Sequence, residues 1–355
     1  MKILICPLDW GLGHATRCIP VIQYLLQKNT EVIIAADGRP LALLKKEFPT
    51  IEFIKLRGYE INYPSRGTMV LKMLFSIPKI IRGIYREHQT LHKIVSDKKI
   101  DVVISDNRFG LWNKKTYNIF ITHQIRIKAP FGEHLLYRIN RYFINKYNEC
   151  WIPDIAEENN FSGDLSRKFS GIKNAQYIGL LSRMENKNEK LKYDLTVILS
   201  GPEPQRSIFE NIILKQLNDT SLKMLVVQGI AEKQERKNIC ERVEIVSHLN
   251  SIDMEAAMSA SKIILCRSGY SSIMDCAVLG KKTIFVPTPG QTEQEYLADY
   301  FMQKGIAYSV SQKDFNLTAA IEKSLSYKGF ESAEENSGFK KYVDNFLRRL
   351  IPFSV

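Results

Sequence analysis

The sequence predicts an α/β protein made of two doubly wound domains that face each other across a cleft. Three observations carry that expectation. A strand, glycine turn and helix opens the chain, where Lys2 to Cys6 runs into Gly11-Leu12-Gly13-His14-Ala15-Thr16-Arg17, and the same order returns where Ile263 to Cys266 breaks at Arg267-Ser268-Gly269. Short apolar runs alternate with helical patterns along both halves, as parallel sheets require. At 355 residues the chain also exceeds the size at which one core usually keeps growing.

In the first half, the glycine turn leads into a helix whose apolar residues Ile19, Ile22, Leu25 and Leu26 share one face. Glu31 to Ala35, Asp101 to Ser105 and Ile119 to Thr122 supply further strands. Ligands of open parallel sheets bind beyond the carboxyl ends of the strands, so His14, Asp106 and the pair His123-Gln124 are expected on one rim. A neutral imidazole suits removal of a proton from a hydroxyl near neutral pH, which makes His14 the expected base. Asp106 is expected to orient or replace it. A helix-capping histidine and plain strand-end turns are the ordinary alternatives for these residues.

Between those strands, Thr68 to Val95 interleaves Met69, Val70, Met73, Leu74, Phe75, Ile77, Ile80, Ile81 and Ile84 with lysine and arginine, and Pro78 is expected to split or kink the helix. Leu135, Leu136, Ile139, Tyr142 and Phe143 alternate with Arg138, Arg141 and Lys146 in the same way. Basic amphipathic helices lie at an anionic membrane surface or simply face a core.

The polar stretch 185–192, ENKNEKLK, is the expected linker between a first domain of residues 1–184 and a second of residues 193–337. In the second, Leu195 to Leu199 ends in Ser200-Gly201-Pro202-Glu203-Pro204-Gln205-Arg206, where two prolines remove N–H donors and leave Arg206 as the expected contact to phosphate. Leu225 to Val227 and Val243 to Val246 are further strands, the latter leading to Leu249. Residues 338–355 hold Phe339, Tyr342, Val343, Phe346, Leu347 and Leu350 at helical spacing and are expected to close the chain as an amphipathic helix.

The stretch Lys262 to Tyr300 is the most informative. The turn Arg267-Ser268-Gly269 precedes a helix closed by Gly280, so the N–H groups of residues 269–272, Ser271 among them, form a helix N-terminus that favours phosphate. Asp275 then lies in the first turns, where a carboxylate can accept from ribose hydroxyls. From this turn alone an ordinary βαβ unit would look the same.

The string RSGYSSIMDCAVLGKKTIFVP, followed by TEQEYLADY, resembles the C-terminal signature of glycosyltransferase family 28, which has the GT-B fold. The best-known member of that family adds N-acetylglucosamine to a lipid-linked peptidoglycan precursor. The resemblance implies that Asp275 binds ribose and that Gln294 and Glu295 meet the donor sugar. The family has Gln-Gln at this pair, so Glu295 points to a different sugar. GLGHATR is similar to the first glycine loop of the superfamily, which places Gly11, Gly13 and Arg17 on the acceptor side, and His123-Gln124 is similar to a histidine-containing loop of the family that helps line the cleft on that side. Gly179-Leu180-Leu181-Ser182-Arg183 is similar to an interdomain element that brings Arg183 to the diphosphate, and the resemblance also places Gly201 and the backbone near Leu249 at the nucleotide. The loop with His14 equally resembles related nucleotide-sugar hydrolases.

Composition bounds the rest. The net charge is +12, and residues 1–150 carry 24 Lys+Arg against 12 Asp+Glu while residues 151–355 carry 26 of each. A basic first half suits a phosphate-bearing substrate or an anionic membrane, and nucleic acid is the weaker fit because the aromatics form no RNA-binding motif. No apolar run approaches the roughly 18 residues that span a bilayer. The N-terminus reads as a strand and not a leader, so the expected location is cytoplasmic, at the inner face of a membrane. The six cysteines have no metal-ligand spacing and read as reduced thiols. No Asp-x-Asp string occurs, so no metal or other cofactor is expected to be required.

The expected activity is therefore transfer of a sugar, with inversion, from a nucleoside diphosphate, expected to be UDP, to a hydroxyl acceptor that is lipid-linked or part of a cell-surface glycan precursor. Hydrolysis or epimerisation of a nucleotide sugar is the second expectation. A non-catalytic nucleotide-sugar-binding protein is the third.

Overall fold

A computed structural model describes residues 1–59, 69–167, 169–186, 189–217, 220–230, 235–333 and 337–350, without the side chains of 69–76 and 337. The apolar stripe expected from Met69 to Phe75 and the residues 351–355 of the last segment thus lie outside the described part, as does Thr68.

The chain begins β1 (Lys2–Pro7), α1 (Leu12–Gln27), β2 (Glu31–Ala36), α2 (Gly38–Glu47), β3 (Glu52–Lys55), α3 (Met69–Lys98), β4 (Val102–Asp106), β5 (Tyr117–Ile121), α4 (Glu133–Ile144), β6 (Glu149–Ile152) and β7 (Ala175–Tyr177). These strands form one sheet in the order β3-β2-β1-β4-β5-β6-β7, with every neighbouring pair parallel. The near-continuous burial of β1, β2, β4 and β5 reflects helices on both faces. Pro78 does not split α3, which runs on as one helix of 30 residues.

After a crossing between Tyr177 and Tyr193, the second unit follows as β8 (Tyr193–Ile198), α5 (Gln205–Gln216), β9 (Met224–Val227), β10 (Arg236–Cys240), β11 (Val243–Val246), α6 (Ser251–Ser259), β12 (Ser261–Cys266), α7 (Tyr270–Val278), β13 (Lys282–Phe285), α8 (Thr292–Gln303), β14 (Tyr308–Ser309), α9 (Leu317–Ser324) and α10 (Ser337–Leu350). Its sheet order is β10-β11-β9-β8-β12-β13-β14, parallel except for the antiparallel β10–β11 edge. The chain thus holds two Rossmann-like units.

α10 packs on the first unit. Phe346 meets the Trp151 ring at 5.4 Å, and Tyr342 and Arg349 both donate to Glu149 of β6. Tyr24 of α1 donates to Asp344 at 2.8 Å. One hydrophobic cluster consequently runs from Ile5 and Ile19 through Phe339 and Phe346 to Ile273 and Phe285. Because that cluster joins both sheets, the rims of the two units are held face to face.

Candidate active site

The two glycine turns meet across the cleft. Gly11 has φ 127°, a backbone that side chains rarely adopt, and it swings the chain from β1 into α1. The Ser271 hydroxyl, in the first turn of α7, donates to the Gly13 carbonyl at 2.8 Å. A Cβ at Gly13 would lie 3.3 Å from that hydroxyl, so glycine is what allows the close approach. Neither α1 nor α7 has a side-chain cap at its N-terminus, so both present backbone N–H groups to the same gap.

On the first unit's rim the expected residues converge. His14 Nδ1 lies 3.0 Å from Asp106 Oδ1 at the end of β4. Arg17, one turn along α1, binds the same carboxylate through Nε at 2.6 Å and through Nη2. Asp106 is fully buried, and although burial opposes its charge, Arg17 and His14 hold it well below the usual carboxylate range. His14 Nδ1 also lies 2.9 Å from Arg17 Nη2, a donor only, so the ring has two tautomers open to it: with its proton on Nδ1 it donates to the ionised Asp106 and leaves Nε2 of the partly exposed ring as a lone pair.

His123 extends the network. Arg17 Nη1 lies 2.8 Å from His123 Nδ1, and because arginine can only donate, that nitrogen is the acceptor. The proton of His123 is therefore on Nε2, 2.7 Å from Glu293 Oε1 of α8. The ring also stacks on Tyr270 of α7, with centroids 4.1 Å apart and planes inclined by 3°. Burial, then Arg17 and His14, push the His123 pKa down against the pull of Glu293, which favours a neutral ring.

The second rim corrects several expectations. Arg206 does not face the cleft: it is buried, with Nε 2.6 Å from Glu203 and Nη1 2.9 Å from Glu210, so its charge is already matched. Arg267 is likewise turned inward, donating to the carbonyls of Val286, Pro287 and Gln205 and to Gln312 while lying over the Phe209 ring. Burial lowers its pKa to about 10. Both arginines shape the rim and neither offers a free cation to a phosphate. Ser268 is buried and donates to the Gln294 carbonyl at 2.7 Å. Arg17 too is buried, 2% exposed, so it supports the rim and does not touch an acceptor.

Asp275 stands buried at the domain junction and already has partners there. Ser182 donates to Oδ1 at 2.7 Å, and Arg183 Nε is 3.8 Å from Oδ2. Burial raises its pKa, against Arg183 and Ser182. Gln294 accepts the Thr288 N–H at 2.8 Å, and its amide nitrogen approaches Gly269, the residue before α7. Gly201, φ 101°, lies beside the Thr288 hydroxyl, a buried group with no partner. Leu249 packs half-buried in the turn between β11 and α6. Gln124 has its N–H bound by Thr122 and its carbonyl by Asn140, which fixes the loop that carries His123.

Glu295 is not the residue that meets the opposite domain. It is exposed and accepts the Gly290 N–H within its own loop, whereas Glu293 reaches across to His123. Residues two apart on a helix point about 200° apart, so one of the two had to face away, and the string TEQE does not say which. Two further groups have no sequence signal. Asp9 Oδ1 and the Trp10 indole N–H, in the turn before His14, are buried without partners, with Trp10 edge-on to Tyr59. Among the described residues no group of three or more His, Cys, Asp or Glu is placed to hold a metal.

Comparison with known proteins fits this architecture. Residues 201–346 match the glycosyltransferase family 28 C-terminal domain, and residues 1–124 match glycosyl transferase family 1. A UDP-N-acetylglucosamine--N-acetylmuramyl-(pentapeptide) pyrophosphoryl-undecaprenol N-acetylglucosamine transferase of Glaesserella parasuis is 38% identical over 341 residues, covering 90% of this chain and 89% of that protein. An uncharacterized glycosyltransferase of Methanosarcina mazei is 23% identical, covering 88% and 86%. Among solved structures, the glycotransferase of kitacinnamycin superposes with a TM-score of 0.64 at 13% identity, covering 98% of each chain. MurG of Acinetobacter baumannii gives 0.57 at 13% identity, covering 98% and 99%. The chain is therefore a GT-B glycosyltransferase, and it belongs to glycosyltransferase family 28.

Proposed function

We propose that this enzyme transfers a sugar from a UDP-sugar to a hydroxyl acceptor by a single displacement with inversion. The observation that carries the proposal is the His14–Asp106 pair, 3.0 Å apart, opposite the uncapped N-terminus of α7. His14 Nε2 takes the acceptor's hydroxyl proton, the acceptor oxygen bonds to the sugar's C1, and the C1–oxygen bond to the diphosphate breaks. The leaving charge falls on the N–H groups of α7 and on Arg183. With Arg206 paired to Glu203 and Glu210, and Arg267 turned inward onto backbone carbonyls and Gln312, these are the contacts left for it. No metal takes part, and turnover is expected to persist in EDTA.

A UDP donor and a lipid-linked acceptor are supported by the UDP-N-acetylglucosamine and undecaprenol named in the activity of the Glaesserella relative, and a cell-surface glycan precursor is the class of acceptor that follows. The unpartnered Asp9 and Trp10 groups lie beside His14 in sequence and are suited to an acceptor's hydroxyls. No helix among the described residues is long and apolar enough to cross a membrane. Peripheral attachment instead draws on Ile77 and Ile81 of α3 and on Phe131, Leu135, Ile139 and Tyr142 around α4, all exposed next to Arg138 and Lys146. Trp112 bridges these helices, its ring tilted by 40° against His88 of α3 and capped by Lys146 after α4.

The deciding experiment is incubation with a panel of nucleotide sugars, following diphosphate release with and without lipid-linked acceptors. Release that depends on acceptor supports transfer. Equal release without acceptor means that water is the acceptor and the enzyme is a hydrolase, and binding without turnover of any donor overturns the catalytic proposal.

A further inference from the structure

The His123–Glu293 contact joins the two domains at the catalytic base, and nothing in the transfer chemistry itself requires it. Glu293 opens α8 on the second unit, while His123, Arg17, Asp106 and His14 all stand on the first. The bonds form an unbroken chain, from Glu293 to His123 at 2.7 Å, His123 to Arg17 at 2.8 Å, Arg17 to Asp106 at 2.6 Å and Asp106 to His14 at 3.0 Å. We propose that Glu293 is a positioning residue that makes assembly of the His14–Asp106 pair depend on closure of the two domains.

The chemistry fixes a direction along this chain. His123 can accept from Arg17 only while its single proton sits on Nε2, and in the closed form that proton has Glu293 as its acceptor. Tyr270, from the same unit as Glu293, covers the ring face. When the units separate, His123 loses both, and its ring and tautomer are no longer fixed. Arg17 then loses one of the partners that aim its guanidinium at Asp106, the carboxylate that orients His14. With both rings neutral, two carboxylates flank one guanidinium and the bonded chain carries a net charge of −1. Glu293 is partly exposed and its pKa lies below the usual value: burial opposes its charge, but His123, His14 and Arg17 outweigh this. It is thus an anion ready to dock whenever the domains close. The device confines an active base to the state in which acceptor and donor face each other, which limits wasteful attack by water.

The proposal rests on His14 as base, so its test has one arm that needs no turnover. In full-length protein labelled with 15N-histidine, the wild type should show His123 as the Nε2–H tautomer, with a slowly exchanging ring proton. Glu293→Ala should lose that signature, and Glu293→Gln, whose amide oxygen still accepts, should keep it. With UDP-N-acetylglucosamine or UDP-glucose as donor, Glu293→Ala should lower kcat by about 10- to 100-fold, the scale of a misplaced catalytic group, while donor KM and the UDP Kd move less than about threefold. Glu293→Gln should recover most of kcat. A raised donor KM with unchanged kcat would make Glu293 a sugar contact and overturn the proposal, as would an unchanged His123 tautomer in Glu293→Ala. If neither donor turns over, the transfer reading fails while the tautomer still decides whether the latch exists.

Discussion

The two units share a sheet plan and differ in where they keep charge. Around β1 the first unit puts two histidines, an arginine and an aspartate into one buried network, whereas around β8 the second unit pairs its arginines inward and presents turns, amides and an uncapped helix. A base needs side chains held at set protonation states, but a nucleotide diphosphate must come and go, and on the proposed reading a helix N-terminus and the single cation Arg183 hold it. The division of labour predicts that substitutions on the first rim cost rate and those on the second, Glu293 apart because it reaches across to His123, cost affinity.

The largest effect should come from His14. His14→Ala is expected to lower kcat by about 10² to 10⁴, with UDP affinity measured by calorimetry within about threefold of wild type. A large loss of UDP affinity would erase the distinction between the rims. Asp106→Asn should follow in rate and also cost stability, since it leaves the Arg17 cation buried without its anion; about 3 to 5 kcal/mol is expected from denaturant unfolding. The sign with pH is definite. A carboxylate whose folded pKa is depressed contributes stability above its unfolded pKa and loses it only as pH falls through the folded value. The Asp106 contribution should therefore be complete above the ordinary carboxylate range and decline progressively as pH falls from there toward the depressed folded value.

How much of this was legible in the chain depends on what each element buries. Strands such as β1, β4 and β12 are continuous apolar runs and could be read directly, as could the glycine turns after β1 and β12. β3, β6, β7, β10 and β14 could not: they have two to five residues, and β10, RKNIC, is an exposed edge without an apolar face. The site divides likewise. Rim positions follow from strand ends, which pointed to His14, Asp106 and His123, whereas Asp275 was read from the helix after β12 and the family resemblance. Side-chain direction does not, so Arg206 read as a phosphate contact when Glu203 and Glu210 had already claimed it, and Arg267 read as part of the donor site when Gln312 holds it inward. Glu293 was passed over because its partner is 170 residues away.

On the second rim Asp275 offers the opposite case from Asp106. Its folded pKa is raised by burial, so its ionisation contributes a cost to the fold that appears as pH rises from the unfolded pKa through the folded one. Asp275→Asn keeps an oxygen for Ser182 and removes the buried charge. Its Tm at pH 7 should equal or exceed wild type, and the difference should shrink as pH falls toward about 4. UDP affinity should drop by roughly 10- to 150-fold, the worth of charged hydrogen bonds to ribose, about 1.5 to 3 kcal/mol. Unchanged UDP affinity in a folded variant would remove Asp275 from the donor site.

The smallest expected effect concerns the outer surface, where the units also differ. The first carries the whole surplus of positive charge and exposes Leu135 and Ile139, 61% and 46%, beside Arg138; the second has balanced charge yet still exposes Ile252, 78%. If exposure alone drove membrane contact, Ile252 would matter as much as Leu135. Attachment instead needs apolar groups set among cations, because each basic residue near an anionic surface contributes about 1 kcal/mol and holds the apolar groups at the depth where burial is favourable. Leu135→Ser with Ile139→Ser should weaken binding to phosphatidylglycerol vesicles about five- to tenfold at every salt concentration, roughly 1 to 1.4 kcal/mol. Arg138→Ala should weaken it by about fivefold at low salt and progressively less as salt screens the charge, and Ile252→Ser should leave it unchanged. Co-sedimentation across a salt series checks all three. Equal losses from Ile252→Ser and the α4 pair would show that the vesicles do not distinguish the two units.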